Sequence, residues 1–600
     1  MKPPIKIAAF SGAAGDYERA FHDAVHGDPV DVLIGDYLAE ISTGIILENY
    51  LQTPDPSAAK NFYYDIFLRQ VTPELAAIAE RGLKVVVNAG NLNPNGLVAK
   101  VREAIAAAGV DLKVASVAGD DLLDRVQELA GAGQLRNLDT GMPLGNLSGR
   151  IIAANAYMGA WGIVAALNAG ADIVVTGRVT DASLTVGPAA WWHGWSQNEF
   201  DAIAGAIAAG HLIECGPMAC GGNYSGFREL GDVIRLGFPI AEIAADGSTV
   251  ITKQSGTGGM VTVDTVKSQL LYEVQGTRYL NPDAVLHLDS LNLSQVGADQ
   301  VRISAVKGST PPSTTKVSCF YQDGWRMLMF IYITGLDWRE KFEWTRRQMQ
   351  SIVDTLDLDE FLFDPLGQPL DAPTNQAEAT MVVRMAAAAQ EKVELEKLSA
   401  GFGSFGLGGI PGFTCEFSRI FAPRVEFWPG IADQKETAHH VVLEDGSRRA
   451  IPLPEMSPEA ATSGTPAIVQ SGDLSRFGPT TRTLLGNMIY ARSGDKGGNA
   501  SLGVWCRSPE ALEWLIAYLT PERVHALLGL SENTVVESYP LPNLEGQLYV
   551  LRGHFGRSGT GNIGLDQIGK GIGEFLRSCT VDIPVRFLED VKQGAAEVVA

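Results

Sequence analysis

Four short apolar runs end on residues able to bind or move protons. VDVLIG is followed by Asp36, with Glu40 four residues on, in GDYLAE. LKVVV runs into Asn88 and Asn91 in NAGNLNPNG, and the run over residues 111–117 precedes Asp120 and Asp121. ADIVVT leads into Arg178, Thr180 and Asp181 in TGRVTDAS. If these runs are neighbouring parallel strands, their polar ends converge on one edge of a sheet, where open α/β folds bind ligands. Carboxylates and amides with one guanidinium there can hold a polar substrate and shuttle protons. The structural alternative is that Asp and Asn at these points are turn residues and helix caps. It is weakest for Arg178, a poor turn former and a good carboxylate clamp.

Three further segments carry chemistry. AGHLIECGPMACGG holds His211, Glu214, Cys215 and Cys220. A histidine and a carboxylate suit acid–base work, and a cysteine can be a nucleophile. Alternatively, His211 faces the C-terminal dipole of a helix ending there and the cysteines are small buried apolar residues. Lys253 precedes the glycine turn of TKQSGTGGMVTVDTV, where a following helix start suits an anion. Near the C-terminal end, ARSGDKGGNASLG places Arg492, Ser493, Asp495, Lys496 and Asn499 between two strand patterns. Its glycines allow close backbone approach, either to an anion or to the cleft of another domain. A second loop of this kind spans residues 556–564.

The elements that must position these residues follow from periodicity. Strands are expected over residues 5–10, 30–35, 83–87, 111–117 and 171–176, with amphipathic helices such as 73–81 and 97–108 between them. That alternation predicts parallel βαβ units in a sheet covered on both faces. Further strands are expected over 250–253, 284–288, 317–321 and 327–334, and helices over 338–356 and 376–398, with a glycine-rich loop over 401–412. Five prolines within residues 452–479 mark a linker. Beyond it, strands at 502–506, 534–539 and 547–552 and helices at 509–519, 521–528 and 565–577 predict a small α+β sandwich. The expected organisation is a large α/β region with a mostly parallel sheet over 1–445, divisible near 240, a linker over 446–480, and the sandwich over 481–600.

Composition narrows the function. The chain has 600 residues and a formal net charge of −22, so nucleic acid is not an expected partner. The longest apolar region, 159–175, is interrupted by Asn168 and Asp172 and is too short to span a bilayer. The first residues lack a signal-peptide pattern, and the six cysteines form no C-x-x-C pair. A cytoplasmic protein with reduced thiols is expected. Gly401, Gly403 and Gly406 match G-x-G-x-x-G, but no strand precedes them and no helix is expected to follow, so they are no dinucleotide fingerprint. There is no Walker A motif and no G-x-S-x-G elbow, so neither NAD nor ATP is expected as cofactor.

Taken together, GDYLAE, VVNAGNLNP, NAYMGAWGIVAALNAGADIVVTGRVTDAS, GHLIECGP, DGSTVITKQSGTGGMVTVDTV, QLLYEV and ARSGDKGGNASLG resemble, in collinear order, the acyclic terpene utilisation AtuA family. The resemblance implies a large N-terminal domain, a ferredoxin-like C-terminal domain, and a catabolic role on a branched acyl-CoA or its free acid. A lyase or hydratase is expected, because such chemistry needs only acid–base groups and an anion clamp. Asp181 or Glu214 would be the base, and Arg178 would hold a carboxylate or thioester oxygen. Asp36, Glu40 and His211 would assist, or hold a divalent cation that polarises the same oxygen. Asn88, Asn91, Lys253 and the loop residues Arg492, Ser493, Asp495, Lys496 and Asn499 are the candidate substrate contacts. The alternatives are a thioester hydrolase and a non-catalytic partner of an acyl-CoA carboxylase. A homo-oligomer is expected because symmetric assembly is common among soluble enzymes.

Overall fold

The computed structural model describes residues 2–53, 61–147, 149–231, 233–416, 420–458, 462–468, 472–556 and 560–588. Parts of the expected linker (459–461 and 469–471), of the second glycine loop (557–559) and of the C-terminal end (589–600) lie outside the described residues.

The expected strands form the centre of an eleven-stranded sheet. In spatial order, Ile5–Ser11, Val32–Gly35, Lys84–Val87, Ile173–Thr176 and Val114–Ala118 run parallel. Their side chains are almost all buried, as a sheet covered on both faces requires. The sheet as a whole is mixed, which corrects the expectation of a mostly parallel one. Pro239–Ile243, Thr249–Lys253, Gln300–Ser304 and Asn292–Gly297 extend one side antiparallel, and His440–Val442 and Arg448–Ala450 the other. The reason is connection length. Only five residues separate Ile243 from Thr249, and a parallel pair needs a crossover of about a dozen or more. Near residue 240 the chain therefore returns to the first strand, pairing Ile5 with Ile243.

A second, antiparallel sheet is built around one long strand, Thr314–Thr334, where two short ones were expected. A register shift between Gln322 and Trp325 bends it, so its halves meet different neighbours. Ile420–Asp433 pairs along most of it, Arg150–Ala156 with its first half and Thr380–Ala389 with its second. The last of these corrects the helix expected over 376–398. The segment MVVRMAAAA has alanines that favour a helix, but it is paired on both sides, with Glu360–Leu366 as its other neighbour, and that pairing overrides propensity. The helix comes later, at Lys392–Gly403, with a further turn at Phe405–Gly408, so residues 401–412 are not simply a loop. At the heart of this sheet Arg424 is fully buried. It donates to Asp323 Oδ2 at 2.9 Å, Asp359 Oδ2 at 3.0 Å and Glu360 Oε1 at 3.1 Å.

The C-terminal unit has a four-stranded antiparallel sheet in the order Tyr490–Lys496, Asn499–Trp505, Gly546–Arg552, Val535–Leu541. Helices Pro509–Tyr518, Pro521–Leu528 and Ile572–Ser578 accompany it. The last is shorter than expected, because Asp566 takes the backbone N–H groups of Lys570 and Gly571 and the helix begins after them. This unit is not a free appendage. Trp505, Leu548 and Val550 belong to the same buried cluster as the core of the large sheet. Tyr224 stacks on Tyr490 with ring centres 5.6 Å apart, and Lys267 pairs with Glu545 at 2.8 Å.

Candidate functional site

A cavity of about 510 Å³ opens at the carboxyl ends of the first parallel strands, as strand-end logic requires. The loop after the first strand brings Asp16, and the second strand brings Asp36. Glu40 opens the helix Glu40–Gln52, Asp181 follows the strand Ile173–Thr176, and Glu214 caps the helix Phe200–Ile213. The C-terminal unit supplies the facing wall. The turn between Tyr490–Lys496 and Asn499–Trp505 places Asp495, Lys496 and Gly497 in the cavity, with Lys570 beside them. A smaller chamber of about 190 Å³ adjoins it, and Asp181, Glu273 and Lys496 line both.

The cavity is strongly acidic. Asp16, Asp36, Glu40, Asp181, Glu214, Glu273 and Asp495 line it against two lysines, Lys496 and Lys570. Metal-ligating oxygens of Asp36, Asp181 and Glu214 lie within 4.8 Å of one another, so these three could hold a hard divalent cation. Burial, and then the neighbouring carboxylates Asp181 and Glu214, push the Asp36 carboxyl well above its usual range. Asn88 opposes this by donating to Asp36 Oδ1 at 2.6 Å, while its own carbonyl takes the Tyr37 N–H. Glu214 is raised chiefly by burial, although His211 Nδ1 lies 3.1 Å from its Oε1. Its Oε2 is buried without a hydrogen-bond partner. Asp495 is pushed up to about 7, by burial first and then by Glu273 and Glu40.

Other carboxylates are held ionised. Burial alone would raise Glu40, but Lys316, Lys496 and Arg178 outweigh it and hold Glu40 well below its usual range. Lys316 Nζ donates to Glu40 Oε1 at 2.9 Å, and the Tyr157 hydroxyl donates to the same oxygen. Glu273 is likewise kept low against burial, chiefly by Lys496, whose Nζ donates to Glu273 Oε2 at 3.0 Å. Glu273 is also one of few non-glycine residues with positive φ, +59°, a conformation that costs energy unless the surroundings impose it.

The other expected residues divide into supports and bystanders. Arg178 does not reach the cavity as a clamp. It is 3% exposed, and its donors go to Asp181 Oδ1, the Val179 carbonyl and the Leu38 carbonyl. Its guanidinium lies on the Tyr157 ring, 4.0 Å from the centroid, so it positions Asp181 and Tyr157. Asn91 sits behind the wall, accepting from the Thr43 hydroxyl. Asp120 is a buried support that takes the Arg178 N–H and the Asn155 amide, and burial pushes it up to about 6. Asp121 is exposed; it forms a β-bridge to Asn155 and accepts the Leu123 N–H. Lys253 lies elsewhere, donating to the Thr257 carbonyl at 2.6 Å. Cys215 lines the cavity, but burial raises its thiol well above the usual value, so it is a poor nucleophile. The Cys220 thiol is raised by burial too.

Within the C-terminal loop, roles also separate. Ser493 Oγ accepts the Gly573 N–H at 2.9 Å, and Asn499 binds Asp139 Oδ1 at 2.7 Å, so both brace the hairpin. Arg492 is buried on the Tyr272 ring. Asp16, Tyr157, Tyr272, Glu273, Lys316 and Lys570 are the site residues that strand-end reasoning missed. Tyr157 lies in NAYMGAW, and Tyr272 and Glu273 lie in QLLYEV, so the motifs behind the resemblance held a signal for three of them. Lys316 is one polar residue within a long strand and carried none.

Among the described residues, no helix is long and apolar enough to cross a membrane. No curated protein matches the chain. Residues 5–443 match the acyclic terpene utilisation family protein AtuA, and residues 483–582 match the AtuA ferredoxin-like domain. The first match spans every strand of the large sheet but the edge strand Arg448–Ala450, and all cavity carboxylates but Asp495, and the second spans the hairpin that carries Lys496. The chain belongs to the acyclic terpene utilisation AtuA family.

Proposed function

We propose that the protein is a lyase or hydratase of acyclic terpenoid breakdown, acting on a branched acyl-CoA or a related carboxylic acid. The observation that carries this reading is the opposition of charge states around Lys496. Asp36 and Glu214 are driven toward the protonated form, while Glu40 and Glu273 are held ionised in the same cavity. Carboxyl groups whose environments push them apart divide naturally into acids and bases.

In this reading Asp181, oriented by Arg178, removes the proton next to the carbonyl. Lys496 takes over the role that the sequence suggested for Arg178, holding the carbonyl oxygen as negative charge develops on it. Glu214 or Asp36 gives its proton to the leaving oxygen, so water departs and a double bond forms; hydration is the reverse. Seven carboxylates would repel a free acid, so in this reading their charge is offset by protons, held first on Asp36, Glu214 and Asp495; a divalent cation on Asp36, Asp181 and Glu214 would occupy the acid and base, and would inhibit this reaction. A homo-oligomer in the cytoplasm is part of this reading.

The test is mass spectrometry of the full chain incubated with branched acyl-CoAs and their free acids, with and without Mg²⁺. Gain or loss of water that disappears in Asp181→Asn supports the proposal. Release of free coenzyme A would replace it with a thioester hydrolase. No turnover, together with co-purification of a carboxylase, would replace it with a partner protein.

A further inference from the structure

A second cluster of ligating side chains lies outside the cavity. His22 and His26 stand four residues apart on the helix Ala20–His26, so both rings share one face. That face meets the turn Thr72–Glu74. His22 Nδ1 lies 2.7 Å from Glu74 Oε1, and His26 Nε2 lies 2.8 Å from Glu74 Oε2. The rings are 4.5 Å apart between centroids. Both histidine side chains are about half exposed, at 47% and 49%, whereas the Glu74 side chain is 8% exposed.

We propose that His22, His26 and Glu74 form a site for one divalent transition ion of the zinc class, with water completing the coordination. The three ligating atoms lie within 4.8 Å of one another. Ligands on a tetrahedral zinc sit roughly 2.0–2.2 Å from the metal and so about 3.3 Å apart. To admit the ion, the histidine–carboxylate contacts of 2.7 and 2.8 Å, which now use the two oxygens of Glu74 separately, would open by about half an ångström, and the two ring nitrogens, now within 4.8 Å of each other, would settle at about 3.3 Å. Half-exposed rings on a helix have that freedom, and they leave the open side from which an ion enters. Both imidazoles can present a lone pair without losing a proton, because a neutral ring moves its N–H to the other nitrogen.

The donor set decides the class of ion. Two imidazoles and one carboxylate suit zinc, nickel, copper or cobalt, whereas magnesium and calcium prefer all-oxygen sites. The chain is pinned to a second segment at this point. The helix follows the loop that carries Asp16 in the cavity wall, where Gly12 lies so close to Cys215 and Gly216 that a side chain would not fit. An ion on the cluster would tie that helix to the Thr72–Glu74 turn and brace this wall from behind.

The experiment uses the full chain, stripped with chelator and dialysed, titrated calorimetrically with Zn²⁺ and separately with Mg²⁺. His22→Gln and His26→Gln are the variants, since both positions are half exposed and their folds can be checked by circular dichroism without metal. The expected result is one Zn²⁺ equivalent bound by the wild type and weakened at least about tenfold in either variant. Mg²⁺ should not displace it. Cu²⁺ loaded into the wild type should show nitrogen splitting in its paramagnetic resonance spectrum, and His26→Gln should reduce it. An ion in the acidic cavity would survive both variants. Zn²⁺ isotherms for the variants that superimpose on the wild type would overturn the proposal, as would a copper spectrum that the variants leave unchanged.

Discussion

Lys496 and Glu273 meet at 3.0 Å across the junction of the C-terminal hairpin and the large α/β region. Each side chain is about a quarter exposed, and the lysine holds the Glu273 carboxyl low against the effect of burial. Lys496→Met keeps the volume and removes the charge. It should destabilise the fold by about 2–3 kcal/mol in urea unfolding at neutral pH, because Glu273 keeps its desolvation and loses its partner. If the proposed reaction is correct, turnover should also fall by about 10²–10³-fold. A wild-type unfolding curve would show that this pair contributes nothing.

Asp495 makes stability depend on pH in a direction opposite to ordinary acid denaturation. Its carboxyl is raised from 3.8 to about 7 in the folded chain. Between those values the folded protein holds a proton that the unfolded chain has released, so its contribution is full below the lower value and is lost as pH rises through about 7. The wild type should lose more stability than Asp495→Asn between pH 5 and pH 8, measured as the difference in urea midpoints. Glu40 and Glu273, with depressed carboxyls, act the other way. Their stabilisation is present above the usual carboxylate value of 4.5 and is lost as pH falls below it.

Gly494 lets the hairpin lie on Tyr272. A Cβ there would come within 2.2 Å of the Tyr272 ring, which is itself held by the Arg492 guanidinium 4.1 Å from its centroid. Gly494→Ala should cost about 1–3 kcal/mol and displace Lys496 from the cavity. Gly403→Ala is the matched control, since it ends a helix and meets no atom within 4 Å. That substitution should be neutral or stabilising in the same thermal melt.

Arg424 gives the clearest stability test away from the cavity. Arg424→Met would leave Asp323, itself buried, without its guanidinium. A loss of about 3–5 kcal/mol is expected in denaturant unfolding, with no preceding change in ligand binding at the cavity.

The parallel centre and the strand-end carboxylates were legible because their signal is local. A short run such as VDVLIG followed by Asp36 needs nothing distant to be read. The roles of Arg178 and Lys496 were not legible, because they depend on which cation faces open space. That is fixed by Tyr157, Val179 and Leu38 around the arginine, and by a hairpin more than three hundred residues later in the chain. The strand Thr380–Ala389 is not legible for a related reason. Its alanines look helical in isolation, and only its neighbours on either side make it a strand.

The hairpin contact also sets an order in time. Glu273 is translated 223 residues before Lys496. At about 5–20 residues per second, a ribosome needs on the order of 10–45 s to cover that gap. During that interval the nascent chain has the five parallel strands and six of the seven cavity carboxylates, but not the lysine that faces them. A chain interrupted in that window would carry an uncompensated acidic hollow, and the finished site comes into being only when the last unit closes over it.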